Sequence, residues 1–369
     1  MKKSIYLILC AAALLFTSCG KSQDLKPINI QPIIIEDGDI TYKVDPRAEL
    51  MMIACRLAEV RAFKDDNSSD YVKTIDKMFE KQKDHPLVKD INKRMKKFYG
   101  NADYELKIVD FISEDMTSFI VSKKEMPAYL NEFWKGENFD KFIKNFNDFA
   151  VKGNFEKVWK LYELHLKGEL SKVKDFYNKK PEILQFYKDY FYGDEKVRFE
   201  ISSTKILGNW VIPMPVYTEN GQKVVKIYQS PYGDPANDYD DIYIHLQYVN
   251  GVCFNLIHEN WDKISGKTKA LVDEICKQNK ISTKKFKDSA YKFNLADVLC
   301  AAINSEYIYA NKEPEFAEEV DKAYKKYILY QNMEKIDALF ADYKNNRQKY
   351  PNFEVFFTEY LINVLNNEF

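Results

Sequence analysis

Apolar and polar positions divide the chain into an apolar leader, a long helical stretch, a short strand-rich stretch and a second helical stretch. Ile5 to Phe16 is almost unbroken apolar sequence. Its dozen or so residues match a signal-peptide core and fall short of the roughly twenty that cross a bilayer as a helix. Ile33-Ile34-Ile35 and Ile40-Thr41-Tyr42 flank Asp37-Gly38, which predicts a hairpin. Asp45-Pro46 then predicts a helix start, because Asp accepts from the free N–H groups of a first turn and proline has the φ that turn needs. Leu50, Ile53, Ala54 and Leu57 continue it at helical spacing, with Glu49 near the positive end of its dipole.

From about Val72 to Tyr192 the apolar stripes predict a succession of helices: Phe142, Phe146 and Phe149; Val158, Leu161, Tyr162 and Leu164 to Leu166; Ile183, Phe186, Tyr187 and Tyr190. Breaks fall at His85-Pro86, Tyr99-Gly100-Asn101, Met126-Pro127, Gly153-Asn154 and Lys180-Pro181. After Gly193-Asp194 the pattern changes to strand-like runs at 197–201, 210–212, 224–228 and 242–246, so that 197–249 reads as a small sheet. Beyond Asn250-Gly251 helical spacing returns and holds to Phe369. No fixed-period repeat emerges, which disfavours a solenoid.

Composition narrows the function classes. Among 369 residues, 55 basic and 56 acidic side chains are spread along the chain, with no basic stripe to follow a nucleic-acid backbone. Twenty-six Tyr and 25 Phe against 12 Gly and 12 Pro describe a compact, mostly helical protein with a large aromatic core. The expected organisation is a signal peptide over 1–18, a lipidated N-terminus and tether over 19–29, a hairpin and helical half over 30–196, and a sheet, a His-Glu helix and C-terminal helices over 197–369. The last two segments are expected to form one unit.

The leader carries the first chemistry. Met1-Lys2-Lys3, the apolar core and Thr17-Ser18-Cys19-Gly20 resemble a bacterial lipobox, with Phe16 where leucine is commoner. The resemblance implies cleavage before Cys19, acylation of that cysteine (palmitate among the chains) and export to the outer membrane of a Gram-negative envelope. Membrane lipid is then the first expected partner. Cys55, Cys253, Cys276 and Cys300 remain in the mature chain, and their apolar neighbours suit disulfides and buried free thiols equally. No CxxC spacing suggests metal binding through cysteine, and neither a glycine elbow nor a phosphate-cradling glycine loop occurs.

One further motif bears on function. In Leu256-Ile257-His258-Glu259-Asn260-Trp261-Asp262, a His-Glu pair is expected on a helix directly after a strand. This is the context in which HExxH holds zinc through two histidines of one helical face, with the glutamate taking a proton from bound water. Taken with Val44-Asp45-Pro46-Arg47-Ala48-Glu49-Leu50, Arg56-Leu57-Ala58, His85-Pro86-Leu87-Val88 and Tyr192-Gly193-Asp194 to Arg198-Phe199-Glu200, the segment resembles an uncharacterised family of bacterial lipoproteins. That family is a domain of unknown function with a zincin-like HExxH core.

The resemblance implies an α+β, predominantly helical, zincin-like domain with a small mixed sheet. It assigns Glu259 as general base, His258 as first metal ligand and Asp262 at the second-histidine position, where the chain departs from the pattern. A further acidic ligand is expected on a later helix, with Asp297 the first candidate and Glu306 the second. Carboxylates in place of imidazole harden such a site toward Mn²⁺ or Mg²⁺ and weaken zinc, so the expected cofactor is none or a weakly held divalent metal. His245 replaces a ligand only if it faces the cleft, and Glu49 with Arg47 and Arg56 suggests an ion pair or a solvated helix start. The implied function is a degenerate peptidase that binds a peptide or protein. A divergent active metallopeptidase and a non-enzymatic surface-binding module are the alternatives.

Overall fold

The structure is a computed structural model that describes residues 25–64, 69–98, 103–121, 134, 136–207, 211–214, 216–230, 238–278, 287–325 and 330–367. The leader, Cys19 and the breaks at Tyr99-Gly100-Asn101 and Met126-Pro127 lie outside the described residues. The protein is α+β and predominantly helical, with one small sheet. It divides into two compact units. Of the described residues, those up to 34, within 43–169 and within 203–207 form the first, and those within 35–42, 170–202 and 211–367 form the second.

Strands β1 (Ile33–Asp37) and β2 (Ile40–Val44) form the expected hairpin, with Gly38 at φ +60° in its turn. Helix α1 (Pro46–Leu57) follows, and the Asp45 carboxylate caps it by accepting from the Arg47 N–H at 2.9 Å. Ten of its twelve residues are buried, so α1 has no solvated stripe. It is the central helix of the first unit and packs against α2 (Arg61–Lys64), α3 (Asp70–Phe79), α4 (Pro86–Phe98) and α5 (Asp103–Lys107). At α4 the His85 Nδ1 accepts from the Leu87 N–H, and its Nε2–H donates to Asp148 at 2.9 Å.

Helix α6 (Phe139–Lys152) stops at Gly153, and α7 (Phe155–Lys179) runs on from there. Leu161 and Leu164 of α7 face solvent, 64% and 86% exposed, so that part of the predicted stripe is not core. The tether is shorter than expected. Ile28 and Ile30 are buried in the first unit, the Ile28 N–H donates to Asp115 and the Asn147 side chain donates to the Lys26 carbonyl.

The second unit carries the sheet, in the order β1-β2-β3-β6-β4, where β3 is Val197–Ser203, β4 Val211–Pro213 and β6 Gln222–Gln229. β5 (Tyr217–Glu219) pairs antiparallel with β6 through Tyr217 opposite Val224, and β4 pairs antiparallel with β6 through Ile212 opposite Tyr228. Helix α8 (Glu182–Phe191) precedes β3. After β6 come α9 (Asp238–Glu259), α10 (Gly266–Gln278), α11 (Lys287–Asn311), α12 (Pro314–Lys325), α13 (Tyr330–Asn345), α14 (Phe353–Phe356) and α15 (Ile362–Asn367). Among the described residues no helix is long and apolar enough to cross a membrane.

The predicted strand at 242–246 is instead the second turn of α9. Its β-branched residues belong to a longer pattern in which Ile242, His245, Val249, Val252, Cys253 and Leu256 are buried at helical spacing. Asn250-Gly251 is not a turn but the middle of that helix. A Cβ on Gly251 would lie 2.5 Å from the Pro213 ring, so the glycine permits close approach of α9 to β4.

Candidate functional site

Helix α9 presents Val252, Asn255, Leu256 and Glu259 at spacings of three and four, one face of its last two turns. This face lines a pocket of about 150 Å³ within the second unit. Phe191, Tyr192, Glu195, Val216, Lys223, Asn352, Phe353 and Glu354 complete the lining, so three carboxylates face one ammonium across apolar walls. Asn352 serves two neighbours: its carbonyl oxygen caps α14 by accepting from the Val355 N–H, and its amide donates to Glu195. Lys223 stands 3.6 Å from Glu354. Burial and then the Glu354 charge push the Glu259 carboxyl above its ordinary range, and Lys223 offsets part of this.

The wall at 189–195 is fixed from the C-terminal side. Arg347 donates to the carbonyls of Asp189, Tyr190 and Pro351, and the Tyr343 hydroxyl donates to the Tyr190 carbonyl. Gly193 sits at φ +57°, and a Cβ there would meet the Pro351 carbonyl oxygen at 2.4 Å. No other residue satisfies both constraints without movement of one of these segments.

The residues assigned by the zincin likeness are distributed differently. Glu259 ends α9, and Asn260 closes it at φ −108°, its amide donating to the Leu256 carbonyl. His258 is therefore in the last turn, half-buried beside Phe254. Asp262 belongs to the next element, a 3₁₀ turn over Trp261–Lys263, and is exposed. The HExxD segment thus does not form one helical face. Asp297 on α11 accepts from the Asn250 amide at 3.2 Å, and Glu306 pairs with Lys344 at 2.7 Å.

Among the described residues no three His, Cys, Asp or Glu side chains converge as metal ligands. The donor set implied by the likeness does not fit a catalytic zinc, which takes three protein ligands and keeps a fourth position open. His245 lies in the core of the second unit, stacked on Tyr307 with centroids 3.9 Å apart and bonded through Nδ1 to Asn304.

Glu49 makes no pair with Arg47 or Arg56. Arg47 holds Asp45 through two nitrogens, and Arg56 holds Asp76. Glu49 is instead enclosed in the first unit, accepting from the Tyr71 hydroxyl at 2.6 Å, and burial raises its carboxyl to about 7. The Tyr71 hydroxyl and the neighbouring Thr204 oppose part of that rise.

Of the residues singled out from the sequence, only Glu259 lines this pocket; Glu195, Lys223, Asn352 and Glu354 were not singled out. The Asn-Phe-Glu start at 352–354 carries a helix-cap signal, but nothing local ties it to α9. Compared with family models, with curated proteins and with solved structures, this chain matches none.

Proposed function

We propose that this chain is an exported lipoprotein, held to the outer membrane through acyl chains on Cys19, whose second unit binds a peptide or protein partner. The pocket against the last turns of α9 carries the binding part of this reading. There Glu195, Glu259 and Glu354 outnumber the single Lys223, while Phe191, Val252, Leu256 and Phe353 supply apolar walls. Such a lining suits the methylene stem and cationic head of a lysine or arginine side chain. Glu259 then acts as a binding carboxylate rather than a base. The zincin likeness enters only as the background of a helix ending in His-Glu, and no step runs through a metal. The anchor part rests on the leader and on Cys19, since several acyl chains at about 0.8 kcal/mol per buried methylene hold a protein durably.

Two measurements test the two parts separately. Cys19→Ser is expected to move the protein from the membrane fraction to the soluble one; a variant that stays on membranes through a high-salt wash removes the anchor from the reading. For the pocket, the full chain in detergent is titrated with a lysine-rich decapeptide and a glutamate-rich one. Only the lysine-rich peptide should bind, and Glu259→Gln with Glu354→Gln should weaken it by roughly 3- to 25-fold, at up to about 1 kcal/mol per solvent-accessible pair. Binding should also weaken as pH falls through the raised range of Glu259, because protonation removes the charge that attracts the cation. Equal binding of both peptides, or indifference to the double substitution, sinks the pocket reading.

A further inference from the structure

Leu161 and Leu164 are 64% and 86% exposed, and Leu164 is the most exposed large apolar side chain among the described residues. A single exposed leucine is ordinary, but these two stand three residues apart on one face of α7. At about 100° per residue, Lys157, Lys160 and Lys167 all fall within roughly 60° of Leu164 around the helix axis. All five positions are exposed. No acidic residue shares this arc; Glu156 and Glu163 border it. The face is a small apolar tip ringed by cations, on a helix whose far side buries Val158, Trp159 and Leu166.

The tether meets the first unit beside this face. The Lys26 carbonyl accepts from the Asn147 amide, and the Asn29 N–H donates to Glu156 at 2.8 Å. Leu164 lies about two turns beyond Glu156, roughly 12 Å along the axis. Lys26 itself is exposed and adds a cation at the point of entry. Seven residues carry the chain from Cys19 to Lys26, a reach of at most about 25 Å when fully extended. A compact unit of about 150 residues is roughly 40 Å across, so the tether is too short to let this side turn away from the bilayer.

We propose that the exposed face of α7 around Leu161 and Leu164 lies against the anionic phospholipid surface of the membrane that holds Cys19. The inference rests on the anchor part of the function proposed above, and not on the pocket. The leucines enter the headgroup region, while the lysine stems run along the apolar tip and their ammonium groups meet lipid phosphates. Charge selects this occupant. A second copy docked through the same face would set lysines against lysines, whereas an anionic surface neutralises them. Acyl chains alone leave the unit free to swing on its tether; this contact fixes which side faces the bilayer.

The test uses the lipidated full chain with Leu164→Cys and Cys276→Ala, carrying an apolar, environment-sensitive fluorophore at position 164. Cys55, Cys253 and Cys300 are free and buried, so the reagent reaches position 164 first. The chain is reconstituted in phosphatidylcholine vesicles, with or without phosphatidylglycerol, that contain a lipid-borne quencher at headgroup depth. Strong quenching with phosphatidylglycerol and little without it is expected. Lys157→Gln, Lys160→Gln and Lys167→Gln together should lower the ratio of docked to undocked face by roughly 100-fold, at about fivefold per lysine, and high salt should act the same way. Urea unfolding of this variant should match its parent, because glutamine keeps the helix propensity of an exposed lysine.

Chain that floats with the vesicles while its fluorophore stays unquenched overturns the face and leaves the anchor standing. Equal quenching in both lipids also overturns it, and so does a fluorophore already shielded in solution by a second copy of the chain. Intact mass and flotation report the anchor separately. Chain that lacks acyl mass, yet is quenched on phosphatidylglycerol vesicles, removes the anchor and supports the face.

Discussion

Arg94→Ala is expected to destabilise the first unit by about 3–5 kcal/mol, the cost of leaving a buried ionic partner alone. Arg94 reaches Glu105 through two nitrogens, at 2.7 and 2.9 Å, and the two side chains are 3% and 0% exposed. The guanidinium also lies 4.2 Å from the Trp134 ring centroid and within 6 Å of Phe142, so its flat faces are packed as well as its edge. Burial outweighs the attraction of Arg94 and leaves the Glu105 carboxyl above its ordinary range even with the pair intact. Without the guanidinium that carboxyl must take up a proton or lose its place in the core. The double substitution Arg94→Met with Glu105→Leu should therefore cost less than Arg94→Ala, because it removes both charges and keeps most of the volume. Urea unfolding of the three proteins decides the matter. A loss below about 1 kcal/mol for Arg94→Ala would mean that water reaches Glu105 and that the pair is not buried in solution.

Local pattern was enough to read much of the fold. Asp37-Gly38 set the hairpin and Asp45-Pro46 the start of α1, because turn and cap chemistry act within a few residues. His85-Pro86, Gly153 and Pro181 ended or began helices for the same reason. The run at 242–246 misled because a helix buried on several sides carries the continuous apolar, β-branched composition of a buried strand. The length of the apolar span from Asp238 to Glu259, interrupted only at Asn250-Gly251, was the better guide, since 22 residues suit a helix and far exceed a usual strand. Gly251 read as punctuation because its reason, the Pro213 ring, comes from a different element.

Only Glu259 is shared between the sequence-derived residues and the pocket lining, and its role as a base rested on α9 continuing to Asp262, whereas Asn260 is a residue that commonly closes helices. Glu195, Lys223 and Glu354 reach the pocket from three other segments, and no spacing rule connects them. The division into two units leaves no mark in the sequence. A single 25-residue helix, α7, carries the chain past Glu169, where the first unit ends, so the boundary falls inside regular structure without any linker composition to mark it.

The second large effect expected is loss of stability in acid through His245. The ring is fully buried, stacked on Tyr307 and met edge-on by Phe186, with Nδ1 bonded to Asn304 and Nε2 without a partner. A charged imidazole cannot be solvated there, and burial lowers the folded pKa to about 3, against about 6.5 in an unfolded chain. The unfolded chain therefore binds the proton first as pH falls. The stability associated with neutral His245 is complete above about pH 6.5 and is lost progressively down to about pH 3. At pH 4.5 the two units between that pH and the unfolded value correspond to about 3 kcal/mol.

His245→Gln keeps an amide within reach of Asn304 and removes the titration. Its own packing defect is the same at every pH, so the informative quantity is the change between pH 7 and pH 4.5 rather than the absolute stability. Wild type should lose about 3 kcal/mol more than His245→Gln over that interval, measured by urea unfolding at both pH values. Burial of Glu49 acts in the opposite direction, since its raised carboxyl favours the folded state in acid, but it is unchanged in both proteins and cancels from the comparison. Equal losses in the two proteins would show that His245 takes up its proton without unfolding, which the closed Phe186–Tyr307 stack does not allow.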